Sequence, residues 1–354
     1  MGYWWLVKCV GIKMNRMNIL FTCAGRRNYL INYFKEALEG AGKVFVADMQ
    51  QNAPSMIEAD VAIQVPEIYD NNYIECIKNI VEKNNIKAII PLNDLELPIL
   101  SKNKKLIEES GARVIVSEQN VIDIAFDKWK TGKFLTNIGL NTPKTFINIS
   151  EAKKAISNGE LQFPLAIKPR WGSASIGIGF PESMKELDLM YELLTIQLKR
   201  TILNKVSKKD TNHSILIQEK LTGNEYGMDI LNDFEGIYQG TFARKKLAMR
   251  AGETDKAVSV IIPELEEIGK RIGDNLKHIG NLDCDVFEHK GNYYVLEVNP
   301  RFGGGYPFSH EAGINIAKAY ISWLKGEKGI AKYNNYKEGV AFSKCDRLIC
   351  INKK

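Results

Sequence analysis

The chain is predicted to fold as an α/β domain with a parallel sheet, followed by an α+β unit. Three observations carry this. Over the first third, apolar strand-like runs alternate with helix-periodic segments, as in a parallel sheet covered on both faces. From about residue 125, successive strand-like runs are flanked by a few long helices, which suggests antiparallel pairing. Near the end, the stretch "YYVLEVNPRFGGG" (Tyr293 to Gly305) places Glu297, Asn299 and Arg301 at alternate positions of a strand. Those three residues share one face.

The elements follow in order. The opening "MGYWWLVKCVGIKMNRMN" is expected to be an extension, with Met14 or Met17 as a natural start, because the first convincing strand begins at Asn18. "NILFTCAG" is that strand. "RRNYLINYFKEALEGAG" has apolar residues at Leu30, Ile31, Phe34 and Leu38, a helical spacing, with Gly40 and Gly42 as stops. "KVFVADM", "KAIIPL" and "ARVIVS" read as strands, and "NNYIECIKNIVEKNNI" and "ELPILSKNKKLIEESG" as helices. The first turn, "CAGRRNYL", lacks GxGxxG and does not support a dinucleotide site. Arg26 and Arg27 there read equally as an anion contact or a plain turn. Further on, "FPLAIKPRWGSASIGIGF" reads as strand, Gly/Ser loop and strand. "KELDLMYELLTIQLKRTIL" and "ELEEIGKRIGDNLKHIG" are helices. "HSILIQEKLTGNEYGMDILND" and "GIYQGTFARKKLAMR" are antiparallel strands. "LDCDVFEHKGNYYVLEVNPR" is a hairpin, and the tail supplies one or two small closing strands.

Composition narrows the function. The 354 residues are 45% hydrophobic and 25% charged, ordinary for a globular chain of two or three domains. The net charge of +6 is small and scattered, which suits anionic small molecules and does not call for nucleic acid. The densest basic run, Leu198–Lys209, reads as a solvated helix face. Six cysteines show no CxxC pair, and four histidines lie far apart, so a zinc site is not expected. Reduced thiols and the lack of a run of ~18 apolar residues point to a cytoplasmic protein without a membrane span.

The hairpin carries the chemistry. Centred on Gly291, it opposes Asp285 to Glu297 and Asp283 to Asn299, so that Asp283, Asp285, Glu297, Asn299 and Arg301 share one side. Opposed like charges destabilise a sheet and need a counter-ion. A hard divalent cation such as Mg²⁺ takes one or two carboxylates and fills its shell with water and phosphate oxygens. Arg301 beside it suits a phosphate. The plain alternative is a polar hairpin facing solvent. In "AIKPRWGSASIGIG", Lys168 ends a strand before Gly172, Ser173, Ala174, Ser175 and Gly177, small residues whose N–H groups can close over phosphates. The spacing is wrong for GxxxxGK[ST]. In "IQEKLTGNEYGMD", Glu219, Leu221 and Glu225 flank a tight turn.

Together these elements resemble the ATP-grasp superfamily, in the branch of carbamoyl-phosphate synthase large-subunit halves and amino-acid ligases. The resemblance covers about residues 17 to 350. It implies an extension at 1–16, a pre-ATP-grasp domain at 17–122, an ATP-grasp domain at 123–330 with a mobile lid subdomain near 142–220, and a closing segment at 331–354. It implies roles for Lys128 at the entry to the nucleotide site, Lys168 and the Ser173–Ser175 loop on the phosphates, Glu219 and Leu221 at the adenine, and Glu225 at the ribose. Asp285, Glu297 and Asn299 resemble Mg²⁺ ligands, with Asp283 as a rival, and Arg301 the arginine beside the transferred phosphoryl group. Arg244, Lys245, Lys246 and Arg250 resemble the segment facing the phosphates and the acceptor, with Arg244 at the nucleotide and Arg250 catalytic. The glycines after Arg301 could approach a substrate closely, and His310 beyond them reads as structural, with a site role as the alternative. The cofactors implied are ATP and Mg²⁺. The partners implied are an amino-acid-like small-molecule carboxylate and an amine, with a homodimer as the implied assembly.

The implied activity is carboxylate–amine ligation through an acyl phosphate. The alternatives are a carbamoyl-phosphate-type phosphoryl transferase and a non-catalytic ATP-binding module.

Overall fold

The computed structural model describes residues 16–172 and 177–351. The first domain is a sheet of parallel strands β1 (Asn18–Thr22), β2 (Val44–Asp48), β3 (Val61–Gln64), β4 (Ile86–Pro91) and β5 (Arg113–Val114). Their order is β3-β2-β1-β4-β5. Every residue of β1 is buried, as expected for a central strand covered on both faces. The helix Asn28–Leu38 buries Leu30, Ile31, Phe34, Ala37 and Leu38 as one stripe.

The differences from the sequence expectations have local causes. The helix expected over Glu96–Gly111 breaks into Leu97–Lys102 and Lys104–Glu108. At the break, the Asn103 side-chain amide donates to the Ile99 carbonyl at 2.8 Å and competes with the helical ladder. Strand β3 was not expected. It is an edge strand whose residues are only half-buried or exposed, so it lacks a continuous apolar run. The basic run Leu198–Lys209 is not one helix face: the long helix ends at Leu198, and a short turn of helix follows at Asn204–Ser207.

A second, small sheet consists of β6 (Thr145–Phe146), β7 (Leu165–Pro169) and β8 (Ile215–Glu219), antiparallel in the order β6-β8-β7. Helices Ile149–Ser157 and Met184–Leu198 complete its own core, with Ala152, Leu187 and Leu194 packed on Leu165, Ile167 and Ile217. The large sheet contains β9 (Asn224–Asn232), β10 (Tyr238–Arg250), β11 (Glu253–Val260), β12 (Gly280–His289), β13 (Asn292–Asn299) and β14 (Ala341–Ser343). Its order is β13-β12-β9-β10-β11-β14. Helix Pro263–Leu276 buries Leu265, Ile268, Ile272 and Leu276 against Met228, Ile230, Leu282 and Val295 on one face. The opposite face is left for the site.

One hydrophobic core joins the first domain to the large sheet. It contains Phe21 and Phe34 together with Leu231, Phe234, Phe302, Tyr306 and Tyr320. The loops after β1 and β4 are therefore held against the β12–β13 hairpin. His310 is part of this joint: its Nδ1 meets the Tyr306 hydroxyl at 2.9 Å and its ring stacks on Tyr33, a structural role. Cys23, Cys76, Cys284, Cys345 and Cys350 are free thiols. Among the described residues no helix is long and apolar enough to cross a membrane.

His278 is fully buried, with Nε2 3.0 Å from the Ile230 carbonyl. Burial lowers its pKa to about 4, against the opposing effect of that hydrogen bond. The folded value lies below the ordinary value of about 6.5. Its contribution to stability is therefore present above pH 6.5 and is lost as pH falls toward 4. Replacing His278 by Gln should remove a pH-dependent loss of up to about 3 kcal/mol over that window, measured as the difference between wild-type and variant urea-unfolding free energies at pH 7 and pH 4.5.

Candidate functional site

The hairpin register depends on a bulge. The turn is Lys290–Gly291, both with positive φ (50° and 76°), which fits a two-residue hairpin turn. His289 pairs with Asn292 and Val286 with Val295. That register alone would oppose Asp285 to Leu296. The ladder shifts between Asp285 and Val286, leaving Leu296 as the extra residue, so Asp285 opposes Glu297 and Asp283 opposes Asn299. The bulge also turns both Leu296 and Glu297 into the cleft.

The cleft lies between the small sheet and the large one and has a cavity volume of about 260 Å³. Its polar lining includes Lys128, Lys168, Glu219, Glu225, Asp285 and Glu297. Its apolar lining includes Trp171, Ile178, Phe180, Leu221, Met249, Phe287 and Leu296. The structure thus brings together residues from five separate segments that the sequence singled out. Asn299 lies beside them, its Nδ2 3.4 Å from Glu297 Oε1, and lines a narrow adjoining gap with Asp94, Lys128 and Glu297. Ser173 and Ser175 lie outside the described residues.

Local structure aims each group. Asp127 caps helix Lys128–Asn137, accepting from the Trp129 N–H at 3.1 Å. It also grips Arg170 with a two-pronged ion pair at 2.8 and 2.7 Å. Lys128 is thereby fixed at the mouth of the loop after β7, where its ammonium donates to the Gly172 carbonyl and sits 3.8 Å from Glu297. Lys168 is buried, and burial lowers its pKa to about 8, with Glu297 opposing and Lys128 adding to the shift. Against burial, Lys128 and Lys168 hold the Glu297 carboxyl below the usual range. Burial pushes Asp285 up to about 6; Lys246 opposes, while Asp283 and Glu297 add to the rise. Glu219 accepts the Lys144 N–H at 2.7 Å, so its carboxylate braces the strand end and leaves its backbone beside the cleft.

The two hairpin carboxylates differ in availability. Asp283 is bound by Arg244 at 3.2 Å and by Arg301 at 3.3 Å. A Cβ on Gly303 would lie 2.1 Å from it, so the triple glycine packs backbone onto this ion network rather than toward open space. Asp285 faces the cleft. Arg244, fully buried, pairs with Asp229 at 2.6 Å and lies under the site, outside the cleft lining. Arg250 is half-exposed and holds Asp346 at 2.8 and 3.1 Å and Asp255 at 3.1 Å, away from that lining. Arg301 is also committed: its fork meets Asp94 at 2.8 Å as well as Asp283. Arg27 donates to the Leu92 carbonyl at 2.7 Å, a structural bond across the β1 and β4 loops.

Sequence reasoning missed Asp94 and the role of Lys246. Asp94 follows β4 at the point where strand order reverses, the edge of an open parallel sheet where ligands gather, and that rule could have found it. Lys246 bridges Glu225 at 2.6 Å and Asp285 at 2.7 Å. The counter-ions required by the opposed carboxylates are thus present in the protein. Among the described residues no group of three or more His, Cys, Asp or Glu side chains could hold a metal. Two carboxylates and an amide at Asp285, Glu297 and Asn299 still fit Mg²⁺, which needs few protein oxygens when phosphates supply the rest.

Comparisons with known proteins agree with this fold. A family model described as "PylC-like, N-terminal domain" matches residues 19–115. One described as "ATP-grasp in the biosynthetic pathway with Ter operon" matches residues 211–347. The carbamoyl phosphate synthase large chain of Helicobacter pylori is 24% identical over 301 residues, 82% of this chain and 27% of that protein. The chain therefore spans about a quarter of the length of such curated relatives. Among solved structures, L-amino acid ligase from Bacillus licheniformis superposes with a TM-score of 0.70 at 17% identity, covering 92% of this chain and 80% of that one. N5-carboxyaminoimidazole synthetase from Staphylococcus aureus, solved with ADP, gives 0.67 at 17% identity, covering 88% and 78%.

Removing Asp94 by substitution with Ala should cost about 3 kcal/mol, because a buried guanidinium loses a partner. Urea unfolding would read this. Affinity for inorganic pyrophosphate, measured by calorimetry, should fall as pH rises through about 8, where Lys168 loses its proton. Lys168→Arg should flatten that fall.

Proposed function

Because the chain belongs to the ATP-grasp superfamily, we propose that it is an ATP-dependent carboxylate–amine ligase working through an acyl phosphate, with small, amino-acid-like substrates. The observation that carries the proposal is the convergence of Lys128, Lys168, Glu225, Asp285 and Glu297 in one cleft between a separately cored small sheet and the large sheet.

The residues divide the work. Trp171, Ile178, Phe180, Leu221 and Leu296 provide an apolar slot of the kind that accepts a purine between two sheets. Glu225 would accept ribose hydroxyls. Lys128 and Lys168 supply positive charge to the phosphates. Asp285, Glu297 and Asn299 would hold Mg²⁺, which when bound neutralises phosphate charge. Arg301 acts through position: its pairs with Asp94 and Asp283 fix the strand end next to Asn299. A carboxylate oxygen of one substrate takes the γ-phosphoryl group and ADP leaves. The amine nitrogen of the second then attacks the activated carbonyl carbon, loses a proton, and phosphate departs. The chemistry asks for alignment and charge, not a nucleophilic side chain. Excluding water protects the acyl phosphate from hydrolysis.

Incubation with Mg·ATP and pools of amino acids, followed by phosphate assay and mass spectrometry, tests the reading. A joined product with stoichiometric phosphate and ADP is expected. A phosphorylated, unjoined product would instead support a phosphoryl transferase, and absence of turnover with retained ATP binding a non-catalytic module. Asp285→Asn and Glu297→Gln should each lower turnover by about 100-fold with the circular-dichroism spectrum unchanged.

A further inference from the structure

Lys246 sits inside the large sheet, on β10, with its side chain about 5% exposed. Its ammonium lies 2.6 Å from Glu225 Oε1 on β9 and 2.7 Å from Asp285 Oδ1 on β12. Reaching β12 from β10 means crossing β9. In the register β9 presents Gly227 directly between Arg244 and Asp285. A Cβ there would lie 3.0 Å from the Arg244 guanidinium, so a side chain would crowd the surface over which the β10 cations extend. Arg244 lies over this opening, and Lys246, two residues on, reaches across β9 beside it. Arg244 reaches Asp229 and Asp283, and Lys246 reaches Glu225 and Asp285.

The result is a cleft whose charges are matched before any ligand arrives. Glu297 has Lys128 at 3.8 Å, and Asp285 has Lys246 at direct hydrogen-bond distance. A divalent cation placed on Asp285 would bring two positive charges to a carboxylate whose oxygen is already held by an ammonium group.

We propose that Lys246 is a resident counter-ion that occupies Asp285 in the nucleotide-free protein and excludes a lone metal ion from it. The metal gains the site only together with a phosphate chain, which supplies the negative charge to accommodate both cations. Lys246 keeps Glu225 while it yields Asp285, and its ammonium is then free to donate to a phosphate oxygen. The inference rests on the reading of Asp285 as a metal ligand. It assigns a loading order: metal with nucleotide, not metal first. A lysine that served only as a permanent structural brace would not set that order.

Metal alone provides the test, with Mn²⁺ as the probe and free Mn²⁺ counted by electron paramagnetic resonance in the absence of nucleotide. Wild-type protein should bind Mn²⁺ weakly. Lys246→Met should bind it at least tenfold more tightly, and Lys246→Arg, which keeps the charge, should remain weak. Equal or weaker Mn²⁺ binding by Lys246→Met overturns the proposal. Should that variant not fold, Lys246→Gln gives the same comparison. A measurement on the wild-type chain stands beside it: the Nζ resonance of Lys246 in protein labelled with ¹⁵N-lysine should move on adding Mg·ADP and not on adding Mg²⁺ alone. A shift with Mg²⁺ alone overturns the proposal. Failure of ADP to bind the wild-type protein would remove the ligase reading while leaving the Mn²⁺ comparison between variants intact, so the two failures are distinguishable.

Discussion

The Asp283 carboxylate, held between Arg244 and Arg301, is the interaction on which the rest of the site depends. It gathers β10, β12 and the end of β13 around one partly buried charge. Arg301 carries the connection onward to Asp94, in the first domain. Gly303 closes over the same carboxylate, with no room for a Cβ. A buried carboxylate is costly unless paired and hydrogen-bonded, and two planar guanidinium forks meet that need with directional bonds. The network therefore holds strand ends, a glycine loop and a neighbouring domain in one arrangement. Asp285, two residues along the same face, faces the cleft instead.

The second constraint is the bulge at Leu296. A two-residue turn at Lys290–Gly291 and the pairing of Asp285 with Glu297 are incompatible in a regular ladder, because the two registers differ by one residue. The extra residue reconciles them and places an apolar side chain and a carboxylate side by side on the cleft wall. Bulges that re-aim side chains at sites are a recurrent device. Here the bulge sets the pairing of Asp285 with Glu297, which face the cleft from β12 and β13.

Much of the fold was legible in the sequence, and the exceptions are instructive. Strands β1, β2 and β4 are runs of residues buried on two faces, and such runs read clearly. Strand β3 is half-exposed at an edge and reads as nothing in particular. In the hairpin, a centre at Gly291 places Asp285 opposite Glu297, and the structure has that pair, but by a different route: the turn centre lies half a residue earlier and the bulge restores the count. Charge was the least legible property. The sequence shows that carboxylates converge and need cations. It does not show that Lys246 crosses a strand to meet one of them, because that depends on the order of the strands in the sheet.

By itself the sequence determined the alternation of strands and helices, the sharing of one face by Asp283, Asp285, Glu297 and Asn299, and the lysine that ends β7. Each of these follows from local periodicity, since a strand alternates its side chains wherever it lies. The tertiary structure alone decided that Asp283 is locked in an arginine network while Asp285 faces the cleft, that Arg250 and Arg244 stand outside the cleft wall, and that Asp94 of the first domain holds Arg301. Those outcomes are set by which charges lie within a few ångströms of one another across strands and domains, and Coulomb attraction at that range is fixed by packing, not by position along the chain.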